Sequence, residues 1–169
     1  MLLHIRPIGE VEKGLLDGLK DHISSIFSLP VKIDPAMSIP SYAYNPDRGQ
    51  YEASTILADM MMSIPSDGSK MLGIIDKDIY VKSFNFIFGL AAERVAVISL
   101  TRLREEYYGL PPNEFLFKER ILKEAIHEIG HMFGLVHCPD IGCVMHFSNT
   151  LDDTDIKGCE PCARCKALL

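Results

Sequence analysis

The spacing of apolar residues in the N-terminal part of the chain predicts strands alternating with helices. Leu2 to Ile8 and Val31 to Ile33 are short, apolar segments typical of strands. Between them, Glu10 to Phe27 has apolar residues at helical intervals, which predicts an amphipathic helix. Pro35 to Pro46 is rich in proline, serine and tyrosine and is expected to be a loop, and Gln50 to Ser63 is expected to be a second helix.

The middle of the chain predicts four more strands and then one long helix. The strand candidates are Met71 to Asp76, Ile79 to Val81, Phe84 to Phe88 and Val95 to Leu100. Two prolines then interrupt the pattern, and Asn113 is suited to cap a helix that runs to about Phe133. Beyond Gly134 we expect short, loop-like segments, with a last helix near Cys162 to Leu169. A layer of strands with two helices therefore precedes a third helix and a smaller, irregular lobe.

The composition of the chain predicts a cellular compartment and argues against some classes of partner. With 169 residues, of which 47% are hydrophobic, the chain is long enough for one domain with a sizeable core. A net charge of −6 without a dense Lys/Arg stripe argues against nucleic acid. Residues 1 to 7 do not resemble a secretory signal, and no apolar run approaches the roughly 18 residues of a membrane span. We expect a cytoplasmic monomer with no membrane partner.

The strongest chemical signal is the segment HEIGHMFGLVH at residues 127–137. Residues four apart lie one turn apart on a helix, so His127 and His131 project from one face and can bind the same ion. Zn²⁺ is the expected metal, because it accepts imidazole nitrogen in tetrahedral geometry. Gly134 can adopt a positive φ and turn the chain, which brings His137 back toward the metal. Three protein ligands leave a fourth position for water, as is typical of catalytic zinc.

Glu128 is the expected general acid/base. It lies about 100° around the helix from His127, so its carboxylate can reach a water on the metal without joining the ligand set. Zinc lowers the pKa of such a water to about 7, and a nearby carboxylate can take its proton and later pass it to the leaving amine. The alternative interpretation is a helix with two exposed histidines and an ordinary glycine cap. It does not account for Glu128 and His137.

This pattern resembles that of the metzincin metallopeptidases, in which H-E-x-x-H-x-x-G-x-x-H is followed by a Met-turn. Met145 looks like the methionine of that turn, which in the family forms an apolar floor beneath the metal. The chain is more specifically similar to the archaemetzincins, in the spacing Cys138-x₄-Cys143-x-Met145 and in a C-terminal C-x-x-C. Residues 84–89 and 99–103 also resemble that subfamily.

The resemblance implies an α+β, metzincin-like fold for residues 1–169 as a single catalytic domain. We expect a mixed twisted β-sheet with a backing helix and an active-site helix in an N-terminal subdomain, residues 1–134. A small irregular C-terminal subdomain, residues 135–169, is expected to be stabilised by a bound zinc ion. The resemblance also implies an edge strand that lines the cleft, which we place at Val95 to Leu100, where an extended peptide could pair.

All five cysteines follow the long helix, which favours a second, structural zinc site. Four thiolates in paired spacing suit a closed tetrahedral site, and in a reducing compartment metal binding is favoured over disulfides. The expected set is Cys138, Cys143, Cys162 and Cys165, which the resemblance also implies. Cys159 forms a C-x-x-C with Cys162 as well, so it is an alternative to Cys165. Such a zinc would hold the chain after the third histidine in place.

We therefore predict a zinc-dependent metallopeptidase with two Zn²⁺ per chain, one catalytic and one structural, that acts on a peptide or protein. The alternative is a zinc-stabilised binding or regulatory module with little or no peptidase turnover. Glu128 favours the enzyme, because a binding module has no use for a carboxylate beside the open metal position.

Overall fold

A five-stranded mixed sheet forms the centre of the computed structural model, which describes residues 1–67 and 69–169. Its strands are β1 (Leu3–Ile8), β2 (Val31–Ile33), β5 (Lys70–Ile75), β7 (Gly89–Ala91) and β8 (Val95–Ser99). They are arranged in the order β2-β1-β5-β8-β7, and only β7 runs antiparallel to its neighbour. The mixed sheet expected from the sequence is confirmed.

A second sheet, five α-helices and three short 3₁₀ helices complete the secondary structure of the described residues. The small sheet has the order β3-β4-β6, formed by Tyr44–Asn45, Gln50–Glu52 and Ile79–Tyr80. The helices are α1 (Lys13–Phe27), α2 (Ala53–Ser63), α3 (Glu114–Met132), α4 (Leu151–Ile156) and α5 (Ala163–Lys166). Within the described part of the chain, none of these helices is both long and apolar enough to cross a bilayer.

Helices cover both faces of the central sheet. Leu3 and Ile5 of β1 pack with α1 and α3 in one apolar cluster. Met71 and Ile75 of β5 point to the opposite face and pack with α2 in a second cluster. All five residues of β8 are buried. Burial on both faces explains why these strands are almost continuously apolar, as is usual for parallel sheets covered by helices.

Helix α3 begins and ends where the sequence predicts. The Asn113 side chain accepts a hydrogen bond from the backbone N–H of Leu116 at 3.1 Å, as a helix N-cap does. At the other end Gly134 has a φ of +87°, and the N–H of Leu135 donates to the carbonyl of Gly130 at 3.0 Å. A positive φ favours glycine, so the predicted turn after the helix is confirmed.

The strand predicted at Phe84 to Phe88 is wrong. This segment is irregular, and its one bridge to the small sheet joins Ile87 with Ile79. The Arg48 guanidinium donates to the carbonyls of Phe84 and Asn85, both at 2.9 Å, so side chains take the bonds that a neighbouring strand would make. The composition Phe-Asn-Phe-Ile-Phe favours a strand, but the segment has no partner along most of its length.

The predicted edge strand is also wrong in its position. Val95–Ser99 is a strand, but it lies between β5 and β7 in the sheet. The end of the sheet is Gly89–Ala91, which pairs antiparallel with β8. This strand has only three residues, and its apolar and polar residues do not alternate clearly. Periodicity therefore cannot locate it, and only its pairing in the sheet does.

Other element boundaries differ by smaller amounts. Residues 50–52 of the predicted second helix form β4, and the predicted loop contains β3. The last helix covers only Ala163–Lys166. Helix α4 was not predicted, although it begins with a capping box: Thr150 accepts from the N–H of Asp153, whose carboxylate accepts from the N–H of Thr150. The sequence signal for this helix is the T-x-x-D pattern at residues 150–153.

Candidate active site

The structure brings the three predicted histidines together at the C-terminal end of α3. One ring nitrogen from each of His127, His131 and His137 lies within 4.8 Å of the others. The Nδ1 atoms of His127 and His131 donate to the carbonyls of Val144 and Leu135, both at 2.8 Å. A carbonyl can only accept, so these bonds place the proton on Nδ1 and leave each Nε2 lone pair free to bind a metal.

The spacing and charge of these rings fit a zinc ion. The Nε2 atoms of His127 and His131 are 3.1 Å apart, and two ligands at tetrahedral angles about zinc would be about 3.3 Å apart. Burial lowers the pKa of His127 to about 2 and also lowers the pKa of His137. Both rings are therefore neutral near pH 7, the form in which imidazole binds metals.

Glu128 is buried beside these rings and faces the same cavity. Burial, with a smaller contribution from the carboxylate of Glu124, raises the pKa of Glu128 to about 8. A dication bound at the histidines would oppose that shift, because it favours the ionised carboxylate. The environment of Glu128 is thus suited to a group that exchanges a proton near neutral pH.

Gly89 at the sheet edge packs directly against Glu128. A Cβ atom added at Gly89 would lie 2.6 Å from Oε1 of Glu128 and 2.7 Å from its Cγ. These distances are too short for van der Waals contact, so any side chain at residue 89 would displace the carboxylate. The edge strand and the active-site helix therefore determine the position of Glu128 together.

Replacing Gly89 by alanine is expected to lower kcat/KM for peptide cleavage by about 10²-fold, since a displacement of 1 Å at a reacting group has effects of that size. The comparison requires zinc content and cleavage rates for the wild type and the variant. Gly18→Ala in α1 is the control, because a Cβ atom there has nothing within 4 Å. Activity of Gly89→Ala equal to that of Gly18→Ala would contradict the close packing.

The cavity in front of the metal site has a volume of about 620 Å³. Residues of the edge strand form one wall, and Phe86, Phe88 and Phe147 contribute aromatic surface. Phe86 is held in this wall by Arg102, whose guanidinium lies 4.1 Å from the ring centroid and bonds the Asp78 carboxylate at 2.7 Å. The irregular segment at residues 84–88 is therefore a wall of the cleft.

Met145 is fully buried and packs against the active-site helix at Gly130. A Cβ atom at Gly130 would lie 2.5 Å from the Met145 sulfur, so only glycine fits between the two histidines of the helix at that point. Glycine is unfavourable inside a helix, by about 1 kcal/mol relative to alanine. Its presence is explained by this close approach, which the sequence could not reveal.

The four expected cysteines also form one group. The sulfur atoms of Cys138, Cys143, Cys162 and Cys165 lie within 4.8 Å of one another, and among the described residues Cys159 is not part of the group. Two of the sulfur pairs are 3.9 and 3.8 Å apart, and tetrahedral zinc with Zn–S of about 2.3 Å requires about 3.8 Å. The geometry favours the set with Cys165 over the alternative with Cys159.

Neighbouring donors support negative charge on these thiols. The Arg164 guanidinium lies 3.2 Å from the Cys138 sulfur, and the N–H of Cys162 donates to the Cys143 sulfur at 3.2 Å. Four thiolates around one Zn²⁺ have a net charge of about −2, so a guanidinium beside them is favourable. The donor set and its surroundings therefore fit a structural zinc.

A buried ion pair behind the catalytic residues was not predicted. Lys157 is fully buried, and its Nζ lies 3.1 Å from Oε1 of Glu124, which also accepts from the Thr154 hydroxyl at 3.2 Å. Glu124 precedes Glu128 by one helical turn and lines the same cavity. The i, i+4 spacing of the two glutamates was the available signal, but lysine is rarely buried and the sequence does not place it.

Charged contacts also attach α4 to α3. The buried Arg120 donates to both carboxylate oxygens of Asp155 at 2.7 Å, and the ammonium of Lys123 donates to the Asp155 carbonyl at 3.1 Å. Phe147 to Asn149, just before α4, line the catalytic cavity. The position of this wall thus depends on polar contacts between the two helices.

Replacing Lys157 by methionine is expected to reduce the free energy of unfolding by about 3–5 kcal/mol, because it leaves the buried Glu124 carboxylate without its cation. Urea unfolding would measure this loss. Lys166→Met is the control, since it removes an exposed ion pair with Glu160 that contributes little. The double variant Lys157→Met, Glu124→Leu is expected to recover much of the loss. Equal stabilities of the two single variants would contradict the prediction.

Comparisons with known proteins identify the family of this chain. The sequence profile of Peptidase family M54 matches residues 13–169. The archaemetzincin of Methanocaldococcus jannaschii is 45% identical to this chain, over 98% of the chain and 90% of the relative. The archaemetzincin of Pyrococcus furiosus is 44% identical, over 97% of the chain and 90% of the relative.

Solved structures match over the whole length. The archaemetzincin of Archaeoglobus fulgidus, crystallised with malonate, has a TM-score of 0.85 at 36% identity and covers 100% of both chains. A zinc-dependent peptidase from Methanocorpusculum labreanum has a TM-score of 0.89 at 30% identity and covers 98% of both. The expected metzincin-like fold is confirmed by these matches. The chain therefore belongs to peptidase family M54, the archaemetzincins, and is a zinc metallopeptidase.

Proposed function

We propose that the protein hydrolyses peptide bonds at one catalytic zinc, with His127, His131 and His137 as ligands and Glu128 as general acid and base. The observation that supports this most is the placement of three imidazoles and one buried carboxylate on a single cavity. A binding module would need the ligands, but it would not need a carboxylate in a site that raises its pKa toward neutrality.

Each residue has a distinct task in this proposal. When bound, zinc supplies a Lewis acid that polarises the carbonyl and lowers the pKa of water. His127 and His131 present their Nε2 atoms because backbone carbonyls fix their Nδ1 protons. Glu128 accepts the proton of the attacking water and donates it to the nitrogen of the leaving amine. Gly89 leaves room for Glu128 to make both transfers in one position.

The sheet edge provides a place for an extended substrate. Gly89–Ala91 is the last strand of the sheet and lines the cavity beside Glu128. Backbone groups on the outer side of an edge strand can pair with a peptide, which aligns a scissile bond with the catalytic residues. This supports a peptide or protein as the substrate.

We propose a second, structural zinc bound by Cys138, Cys143, Cys162 and Cys165. Its ligands join the chain just after His137 to the C-terminal helix, so residues 135–169 would act as a zinc-stabilised subdomain of one catalytic domain. The sulfur spacing and the adjacent guanidinium support this assignment.

Zinc content and peptide cleavage test the proposal together. We expect two zinc ions per purified chain, cleavage of peptides from a broad mixed library, and loss of cleavage when a chelator removes the catalytic ion. Re-addition of Zn²⁺ should restore the rate. Failure of the fully zinc-loaded protein to cleave any library peptide would overturn the enzyme and leave the zinc-stabilised binding module.

A further inference from the structure

A second cavity lies next to the catalytic one. It has a volume of about 560 Å³ and is bounded by the 3₁₀ turn Glu105–Tyr108, the first half of α3 and the start of α4. Phe86 and Asn149 line both cavities. The two cavities are therefore adjacent, and Phe86 and Asn149 lie between them.

The walls of the second cavity are largely apolar. Tyr108, Leu110, Leu116 and Leu151 contribute to its lining, and Leu110 is 53% exposed to solvent. Apolar side chains gathered around a surface depression are a common feature of binding sites, because covering them removes apolar area from water. The walls can thus accept the hydrocarbon part of a side chain.

The rim of the same cavity is acidic. Its lining includes three carboxylates, from Glu105, Asp152 and Asp155, and one guanidinium, from Arg120. Arg120 is buried and already bonds Glu105 and Asp155, both at 2.7 Å. Asp152 is exposed and, within residues 1–67 and 69–169, has no cationic partner within 4.0 Å. These lining residues have a formal charge of −2, and the Lys123 ammonium, which donates to the Asp155 carbonyl, reduces the local charge to −1.

We propose that the second cavity is a substrate subsite that binds a lysine or arginine side chain of the peptide, on the far side of Phe86 and Asn149 from the scissile bond. This inference rests on the proposed peptidase function. A basic side chain matches both features of the site, since its methylene groups cover the apolar walls while its charge meets the exposed carboxylate of Asp152 at the rim. An acidic side chain would be repelled by the net negative charge of the site, and a purely apolar one would leave Asp152 without a cationic partner.

A series of peptides with arginine placed at successive positions tests the subsite. In a cleavable peptide, arginine would replace one neutral residue at a time, with norleucine at the same position as the uncharged comparison. One position should give a kcat/KM about three- to fivefold higher with arginine than with norleucine, as expected for an exposed ion pair. High salt should reduce this preference.

Reversal of the charge makes the test specific. Asp152→Lys should remove the preference for arginine and create one for glutamate at the same peptide position, an exchange that partial unfolding cannot produce. Asp17→Lys, on the exposed face of α1, is the matched control and should keep the arginine preference. The subsite would be overturned if no peptide position showed a preference for arginine, or if Asp152→Lys kept that preference unchanged. Cleavage of the peptides would still support the proposed function in either case.

Binding distinguishes failure of the subsite from failure of the enzyme. The same fluorescein-labelled peptides would be titrated into zinc-loaded Glu128→Ala, with and without Asp152→Lys, and followed by anisotropy. The subsite would be supported if the arginine peptide bound more tightly than the norleucine peptide and Asp152→Lys reversed this order. This result would hold even if the wild type cleaved nothing. No difference between arginine and norleucine peptides in this assay would overturn it.

Discussion

Glu128→Ala is expected to lower kcat/KM for peptide cleavage by about 10²–10⁴-fold, the contribution usual for a positioned acid/base, while both zinc ions are retained. The carboxylate lies in the catalytic cavity but is not part of the histidine group that can bind the ion. Its removal should therefore affect proton transfer without affecting metal affinity. Glu128→Gln, which keeps the shape and removes the basicity, should show a loss of similar size.

Steady-state cleavage and zinc content of the same preparations would measure this effect. Glu106→Ala is a suitable control, because Glu106 is an exposed glutamate on the 3₁₀ turn and lines neither cavity. Cleavage by Glu128→Ala at the rate of the control would remove Glu128 from the mechanism. Loss of one zinc ion from Glu128→Ala would instead indicate that Glu128 is a zinc ligand.

Cys143→Ser should release the proposed structural zinc ion and unfold much of residues 138–169. The apolar cluster in this part of the chain is small, and three of its seven buried members are Cys138, Cys143 and Cys165 themselves. Binding of a structural zinc contributes about 10–16 kcal/mol in small zinc modules, and here little other burial could replace it. Peptide cleavage should also be lost, since the carbonyl that orients His127 belongs to Val144.

Zinc analysis, limited proteolysis and hydrogen exchange of residues 138–169 would follow that unfolding. Cys159→Ser is the matched control, because the sulfur of Cys159 lies outside the group of four. It should retain two zinc ions and the wild-type protection pattern. A Cys143→Ser protein that keeps both ions, or a Cys159→Ser protein that loses one, would contradict the assignment of the ligands.

The sequence predicted the metal centre better than it predicted the cleft. Helix α3, its Asn113 cap and the turn at Gly134 are specified by short-range patterns, namely helical spacing, a capping side chain and a glycine that can adopt a positive φ. The three histidines also follow from spacing, since all lie within residues 127–137. Spacing alone left Cys159 as an alternative to Cys165, and the sulfur positions favour Cys165. These features depend on local geometry, which a single sequence contains.

The walls of the cleft depend instead on contacts between distant segments. The edge strand at Gly89–Ala91 is recognisable only from its pairing with β8, and the segment before it is held by Arg48, which is more than 35 residues away. The pair of Lys157 and Glu124 similarly joins two elements whose approach no periodicity indicates. Helix propensity alone disfavours Gly130, and the requirement for glycine comes from its contact with Met145, fifteen residues further along the chain.

The segment from Cys143 to Met145 shows why an irregular stretch of backbone can still be intolerant of insertions and deletions. Cys143 contributes a sulfur to the group of four, Val144 accepts from a histidine of the active-site helix, and Met145 packs on Gly130. Insertions are usually accepted in exposed loops. One residue gained or lost here would shift all three contacts at once, so natural length variation is expected in the exposed stretch Pro139 to Gly142 rather than in these three residues.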